Sequence, residues 1–205
     1  MSQRIKISVL LLSVSLLNAL GAACAKESSN KGATTTEPIV KTEPAKPSGD
    51  DLTFINDAAS DGLAEVELSK IAASKSKNDE IKAFAQKMIN DHSKASEDLK
   101  KLAAQKQITL PTDLQPQHKE LINKLSKLNG AAFDREYVKA MVEAHEKDVM
   151  AFNFVSNNAA DADIKTFAAK NLPTLITHMR IIKGMADNTG VRLKEADKTG
   201  EQIKN

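Results

Sequence analysis

Four side chains able to hold a metal ion stand on the apolar faces of four separate helical patterns: Glu65, His92, His145 and His178. At 100° per residue, His92 shares its face with Ile81, Ala85, Ile89, Leu99 and Ala103. His145 lies among Val138, Met141, Val142, Val149 and Phe152, and His178 among Ile164, Phe167, Leu175 and Ile182. Glu65 projects between Phe54, Ala58, Leu68 and Ala72, whereas its neighbour Glu67 faces outward. A carboxylate in an apolar face must pair, bind a cation or take up a proton, because burying it ionised and alone is very costly. Three imidazole nitrogens and one carboxylate suit zinc, copper or iron, and the donor set does not choose among them. Asp148 sits three positions after His145, at the stripe's edge, as a fifth ligand or a partner behind the ligands. Asp91 points to the flank of its helix and reads as a solvated charge.

Any one buried histidine has a plainer explanation, a hydrogen bond to a backbone carbonyl or a neighbouring side chain. The fourth histidine, His118, also falls in line with apolar residues, Leu114, Leu121, Ile122 and Leu125, but in the connector. With stripes about 100° wide, four histidines all landing on stripes by chance is on the order of one in a hundred. Counted from the turns, the four candidate ligands spread over roughly 10 Å of bundle height at 1.5 Å per residue. Helix offset or a bend would have to close that gap.

The elements that must position them are helices. The chain has 205 residues and only 3% aromatics, with no Trp, which favours helices packed through small side chains over a β-sandwich or barrel. Long helical patterns cover about 52–73, 79–105, 131–156 and 161–186. The short polar turns "SKSKND" and "NNAADAD" make two antiparallel hairpins. The connector breaks at Pro111, carries a short helix to Leu128 and stops at Asn129-Gly130. Pro173 inside the last helix predicts a kink ahead of His178. "EIKAFAQK" at 80–87 matches "DIKTFAAK" at 163–170, each just after a turn, which points to an internal repeat. The fold class expected is all-α, a ferritin-like four-helix bundle of two antiparallel helical hairpins joined by a connector with a short helix, over residues 51–187.

The flanks carry the address. "MSQRIKISVLLLSVSLLNALGAAC" reads as an export signal over residues 1–23: Arg4 and Lys6, an apolar run, then small residues. Cys24 is the one cysteine of the sequence. "LGAAC" resembles the lipobox of bacterial lipoproteins, which implies lipidation at Cys24; the alternative is cleavage after "ACA". Residues 24–50, rich in Pro, Thr, Ser, Lys and Glu, cannot bury a core and read as a disordered tether. Residues 188–205 form a polar tail. Loss of Arg4 and Lys6 takes the 29 basic residues to 27, equal to the 27 acidic ones. That balance lacks the basic excess a nucleic-acid partner requires.

The stretches "GLAEVELSKIA", "IKAFAQKMINDHSKA", "YVKAMVEAHEKDV" and "FAAKNLPTLITHM" resemble the domain of unknown function 4142 family, exported outer-membrane-type proteins of bacteria. The resemblance implies a ferritin-like bundle and no established activity. Ferritin-like di-metal proteins use Glu-x-x-His motifs, but the residues three before His92, His145 and His178 are Ile89, Val142 and Leu175. A di-iron oxidase or an iron store is therefore poorly supported. No Gly-x-Ser-x-Gly, phosphate-cradling glycine loop or paired-cysteine motif is present, so a hydrolase is the weakest class, and a redox or detoxifying enzyme is a subset of the metal reading that nothing in the sequence demands. The leading reading is a lipid-anchored envelope protein, at the outer membrane, acting as a non-catalytic helical module that binds another envelope component. The alternative is a transition-metal protein using the interior His/Glu set.

Overall fold

The computed structural model describes residues 46–192; Cys24, the signal, nearly all of the tether and most of the tail lie outside the described residues. Within them the chain forms α1 (Gly49–Lys75), α2 (Asp79–Lys106), α3 (Pro116–Lys127), α4 (Gly130–Asn158) and α5 (Ala162–Thr189). Among the described residues there is no strand, and no helix is long and apolar enough to cross a membrane. This is the four-helix bundle of two hairpins, α1–α2 and α4–α5, with α3 in the connector.

Local chemistry sets the helix starts. Ser48 accepts from the Asp51 amide while the Asp51 carboxylate accepts from the Ser48 amide, a capping box that begins α1 at Gly49. Asn78 accepts from the amides of Glu80 and Ile81, and Asp161 from those of Asp163 and Ile164. The two caps stand at matching places before the repeated octapeptides, so the internal repeat extends to the turn chemistry. Gly130 takes a left-handed φ of 55° where the connector meets α4. Pro173 deprives Ala169 of a helical donor, yet α5 runs on unbroken to Thr189.

Two apolar cores stack along the bundle. One gathers Leu68 and Ala72 of α1, Ile81 and Phe84 of α2, Phe133 and Tyr137 of α4, and Ile182 and Ala186 of α5. The other gathers Phe54 and Ile55, Leu99 and Leu102, Phe152 and Val155, and Ile164 and Phe167. The α1–α2 turn therefore lies at the first core and the α4–α5 turn at the second, at opposite ends. The connector spans the difference: Ile108 and Leu110 pack on the second core, while Leu125 and Leu128 pack on the first. Lys106, at the end of α2, pairs with Asp161 and Asp163 at 2.7 and 2.6 Å and joins the hairpins there.

Candidate metal centre

Between the two cores lies a polar layer built from the middle of each long helix. Glu65, His92, His145 and Asp148 are all more than nine-tenths buried, and His178 is wholly so. The three imidazoles pack ring to ring, with centroids 5.3–5.7 Å apart. One ring nitrogen from each lies within 4.8 Å of the others. Phe84 of the first core seats its ring 6.1 Å from His178 and 6.5 Å from His145 and walls that side.

Hydrogen bonds to two of the rings fix their tautomers. His145 Nδ1 is 2.9 Å from the Met141 carbonyl, which can only accept, so Nδ1–H donates and Nε2 keeps its lone pair. His178 Nε2–H donates to Asp91 Oδ2 at 2.8 Å, which leaves Nδ1 with a lone pair. These two free nitrogens, His145 Nε2 and His178 Nδ1, face each other at 3.4 Å. Two lone pairs cannot bond to each other. A tetrahedral ion with bonds of roughly 2.0–2.1 Å to nitrogen sets its ligands about 3.3 Å apart, which is nearly the spacing found. The third ring, His92, has a buried Nε2 with no hydrogen-bond partner among the described residues. Since 4.8 Å bounds the trio, binding one ion in common asks an inward turn of up to about an ångström and a half at the widest pair. Orphaned nitrogens and fixed tautomers of this kind fit a cation bound by three neutral imidazoles.

Glu65 meets the rings on their other side. Its Oε2 is 3.0 Å from His92 Nδ1 and its Oε1 3.4 Å from His145 Nδ1. Neither contact is aligned as a hydrogen bond, and both oxygens lack a partner among the described residues. Glu65 thus abuts the imidazoles, while the nitrogens that converge belong to the histidines alone. Burial, offset by His145 and reinforced by Asp61, raises the Glu65 pKa to about 7. Asp148 is pushed well above the carboxylate range by burial and then by Glu65 and Asp61. Burial lowers His92 and His145. Burial also takes His178 down to about 4, against the pull of Asp91. The rings are neutral at pH 7, the form that binds metal.

Asp91 is the residue that sequence periodicity misplaces. Its side chain, 30% exposed, bridges Lys87 and His178, each at 2.8 Å. Burial raises its pKa, but hydrogen bonds from Lys87 and His178 outweigh that and hold it low. A helix-by-helix projection sees a flank and not which neighbour covers it. The useful signal was the pairing of a flank carboxylate on α2 with an inward histidine on the adjacent α5. His118 stays outside the layer. Its Nε2 lies 3.2 Å from Asp61, and Lys147 pairs with the same carboxylate at 2.8 Å.

The internal repeat throws light on the layer. Ile81 and Ile164 are 83 positions apart, and so are Glu65 and Asp148. Each half of the bundle thus places one buried carboxylate at an equivalent point. The histidines do not follow: the counterparts of His92, His145 and His178 are Leu175, Gly62 and Ala95.

Fold and site together define a helical-bundle protein with a three-histidine cluster at mid-height. By sequence, residues 36–185 match the family model "Domain of unknown function (DUF4142)", and the chain belongs to that family. No curated protein sequence matches it. Among solved structures it is similar to a DUF305 fragment from Deinococcus radiodurans, with a TM-score of 0.63 at 12% identity, covering 70% of this chain and 99% of that one. It is also similar to CopM in the Cu(II)-bound form, with a TM-score of 0.58 at 18% identity, covering 67% of this chain and 96% of that one. CopM in the Cu(I)-bound form gives 0.57 at 17% identity over the same shares. At these identities the likeness is one of fold.

Proposed function

We propose that the chain is a transition-metal-binding protein whose ligands are His92, His145 and His178. The observation that carries this reading is the facing pair His145 Nε2 and His178 Nδ1, 3.4 Å apart, each with its other nitrogen already donating. Glu65 and Asp148, which burial favours in the protonated form, can release their protons to balance a bound cation, and Asp91 orients His178. Three imidazoles without a thiolate suit copper or zinc. CopM, of like fold, has been seen with copper in both oxidation states, so copper is the first ion to test. No catalytic step is assigned. The proposal extends to the location: a lipid on Cys24 holds the domain in the envelope, at the outer membrane. Lipid labelling that persists in Cys24→Ser would remove that part.

The test is metal content and affinity of the purified protein and of His145→Ala. The wild type is expected to hold one ion per chain under competition with a chelator, and His145→Ala to lose it while staying helical. A wild type that holds no ion, or a variant that holds it equally well, sinks the reading. A second reading, docking of an envelope protein, draws on Met150 and Phe154. These two residues, one turn apart on α4, are 71% and 61% exposed. Undiminished co-purification of a partner with Met150→Ser/Phe154→Ser would dispose of it.

A further inference from the structure

His145 and His178 are closed to solvent, so an ion bound by them must pass through the bundle. A small cavity of about 40 Å³ that reaches the layer at His92, the third imidazole, offers a way. By that measure a single water needs roughly 10–15 Å³, so the cavity admits a partly hydrated ion. At its inner end stand Glu65, His92 and Asp148. Its lining also includes the partly exposed Asp91 of α2 and Asn171 and Thr174 of α5, on the seam between these helices. That seam joins the two hairpins, which pack more loosely against each other than within themselves. No lysine or arginine lines the cavity, while Glu65, Asp148 and Asp91 do. Their carboxyl oxygens offer a passing cation ligands along the way.

A second, independent feature points to a cation. Both oxygens of Glu65 and Nε2 of His92 are buried and unpartnered among the described residues, and both side chains line this cavity. Unsatisfied buried acceptors are costly, and a passing cation or its hydration water satisfies them. Asp91 belongs to both ends of the arrangement: it rims the mouth and its Oδ2 holds His178 at 2.8 Å.

We infer that this cavity is the uptake path for the metal, entered between Asp91, Asn171 and Thr174 and leading past Asp148 and Glu65 to His92. The inference rests on the metal reading of the three imidazoles. Asn171→Leu and Thr174→Leu place an aliphatic plug at the mouth without touching a ligand, and both positions are partly exposed, so the fold tolerates them. Apoprotein is mixed with Cu²⁺ in a stopped-flow instrument, and equilibrium affinity is measured separately by chelator competition. Loading is expected to slow roughly tenfold or more in each variant, with affinity and stoichiometry unchanged, and wild-type loading is expected to slow as salt is added. Variants that load at the wild-type rate overturn the path and leave the metal site standing. Affinity falling in step with rate assigns these residues to structure and overturns the path as well. A wild type that binds no Cu²⁺ overturns both.

Discussion

Glu65→Gln should stabilise the metal-free protein by an amount that vanishes below about pH 4.5 and grows as pH rises toward 7. The wild-type carboxyl has its pKa raised from 4.5 to about 7 by burial. At 1.36 kcal/mol per pH unit, keeping it ionised inside the fold costs about 3 kcal/mol at pH 8. The sign follows from proton binding. Between pH 4.5 and 7 the folded state holds a proton on Glu65 that the unfolded state has released. The favourable contribution is therefore full below pH 4.5 and lost as pH rises through 7. Glutamine resembles the protonated acid at every pH. Glu65→Gln should thus exceed the wild type by about 3 kcal/mol at pH 8, or roughly 10 °C in Tm for a domain of this size, and match it at pH 4. The histidines pull the other way. His178 is lowered from 6.5 to about 4, so its contribution is present above pH 6.5 and lost as acid takes it toward 4. Both proteins carry the same histidines, so that loss cancels in the difference. Urea unfolding of both at pH 8, 6 and 4, with chelator present, measures it. An advantage equal at pH 8 and 4 would mean that packing and not ionisation is responsible. A less stable variant at pH 8 would refute the reasoning outright.

Three further outcomes are expected. Asp91→Asn, which keeps the shape but weakens the hold on the His178 ring, should leave the fold intact and loosen metal affinity by about 10- to 100-fold, read by chelator competition. His92→Leu, an apolar residue of similar size beside two stacked cores, should abolish metal binding while raising the urea midpoint of the apoprotein, since burial without a partner disfavours the imidazole; a lowered midpoint would contradict this. Ser48→Ala removes one half of the capping box that starts α1 and should cost about 1 kcal/mol in urea unfolding, with no effect on metal.

Much of the fold was legible because each helix carries its own 3.6-residue pattern and its own polar caps. The long helices run two or three residues further than their apolar patterns at several ends, as where Ser48 and Asp51 start α1 before any apolar residue appears. Such ends are set by caps, which hydrophobic periodicity does not weigh. The height of the layer was less legible. Counting from the turns gives a spread of roughly 10 Å only if both turns lie at one end, and they lie at opposite ends because the connector runs the length of the bundle. Glu65, His92, His145 and His178 all stand near mid-helix, so they share one level whichever end the turns occupy. The tautomers were beyond the sequence, since they depend on the Met141 carbonyl and on which flank of α2 faces α5.

The repeat argues against a purely architectural role for the histidines. At the points equivalent to His92, His145 and His178 the same bundle accepts Leu175, Gly62 and Ala95. The fold therefore has apolar and small solutions for these places within its own sequence. Leu175 is itself buried in the second core. Three imidazoles held neutral between two apolar cores, beside carboxylates whose ionisation is resisted, make a layer that packing alone would not select. The carboxylates recur in both halves, which makes acid at this level a property of the repeat; the histidines do not follow it, and stand on three different helices. Three ring nitrogens within 4.8 Å of one another are a set that one ion could bring together.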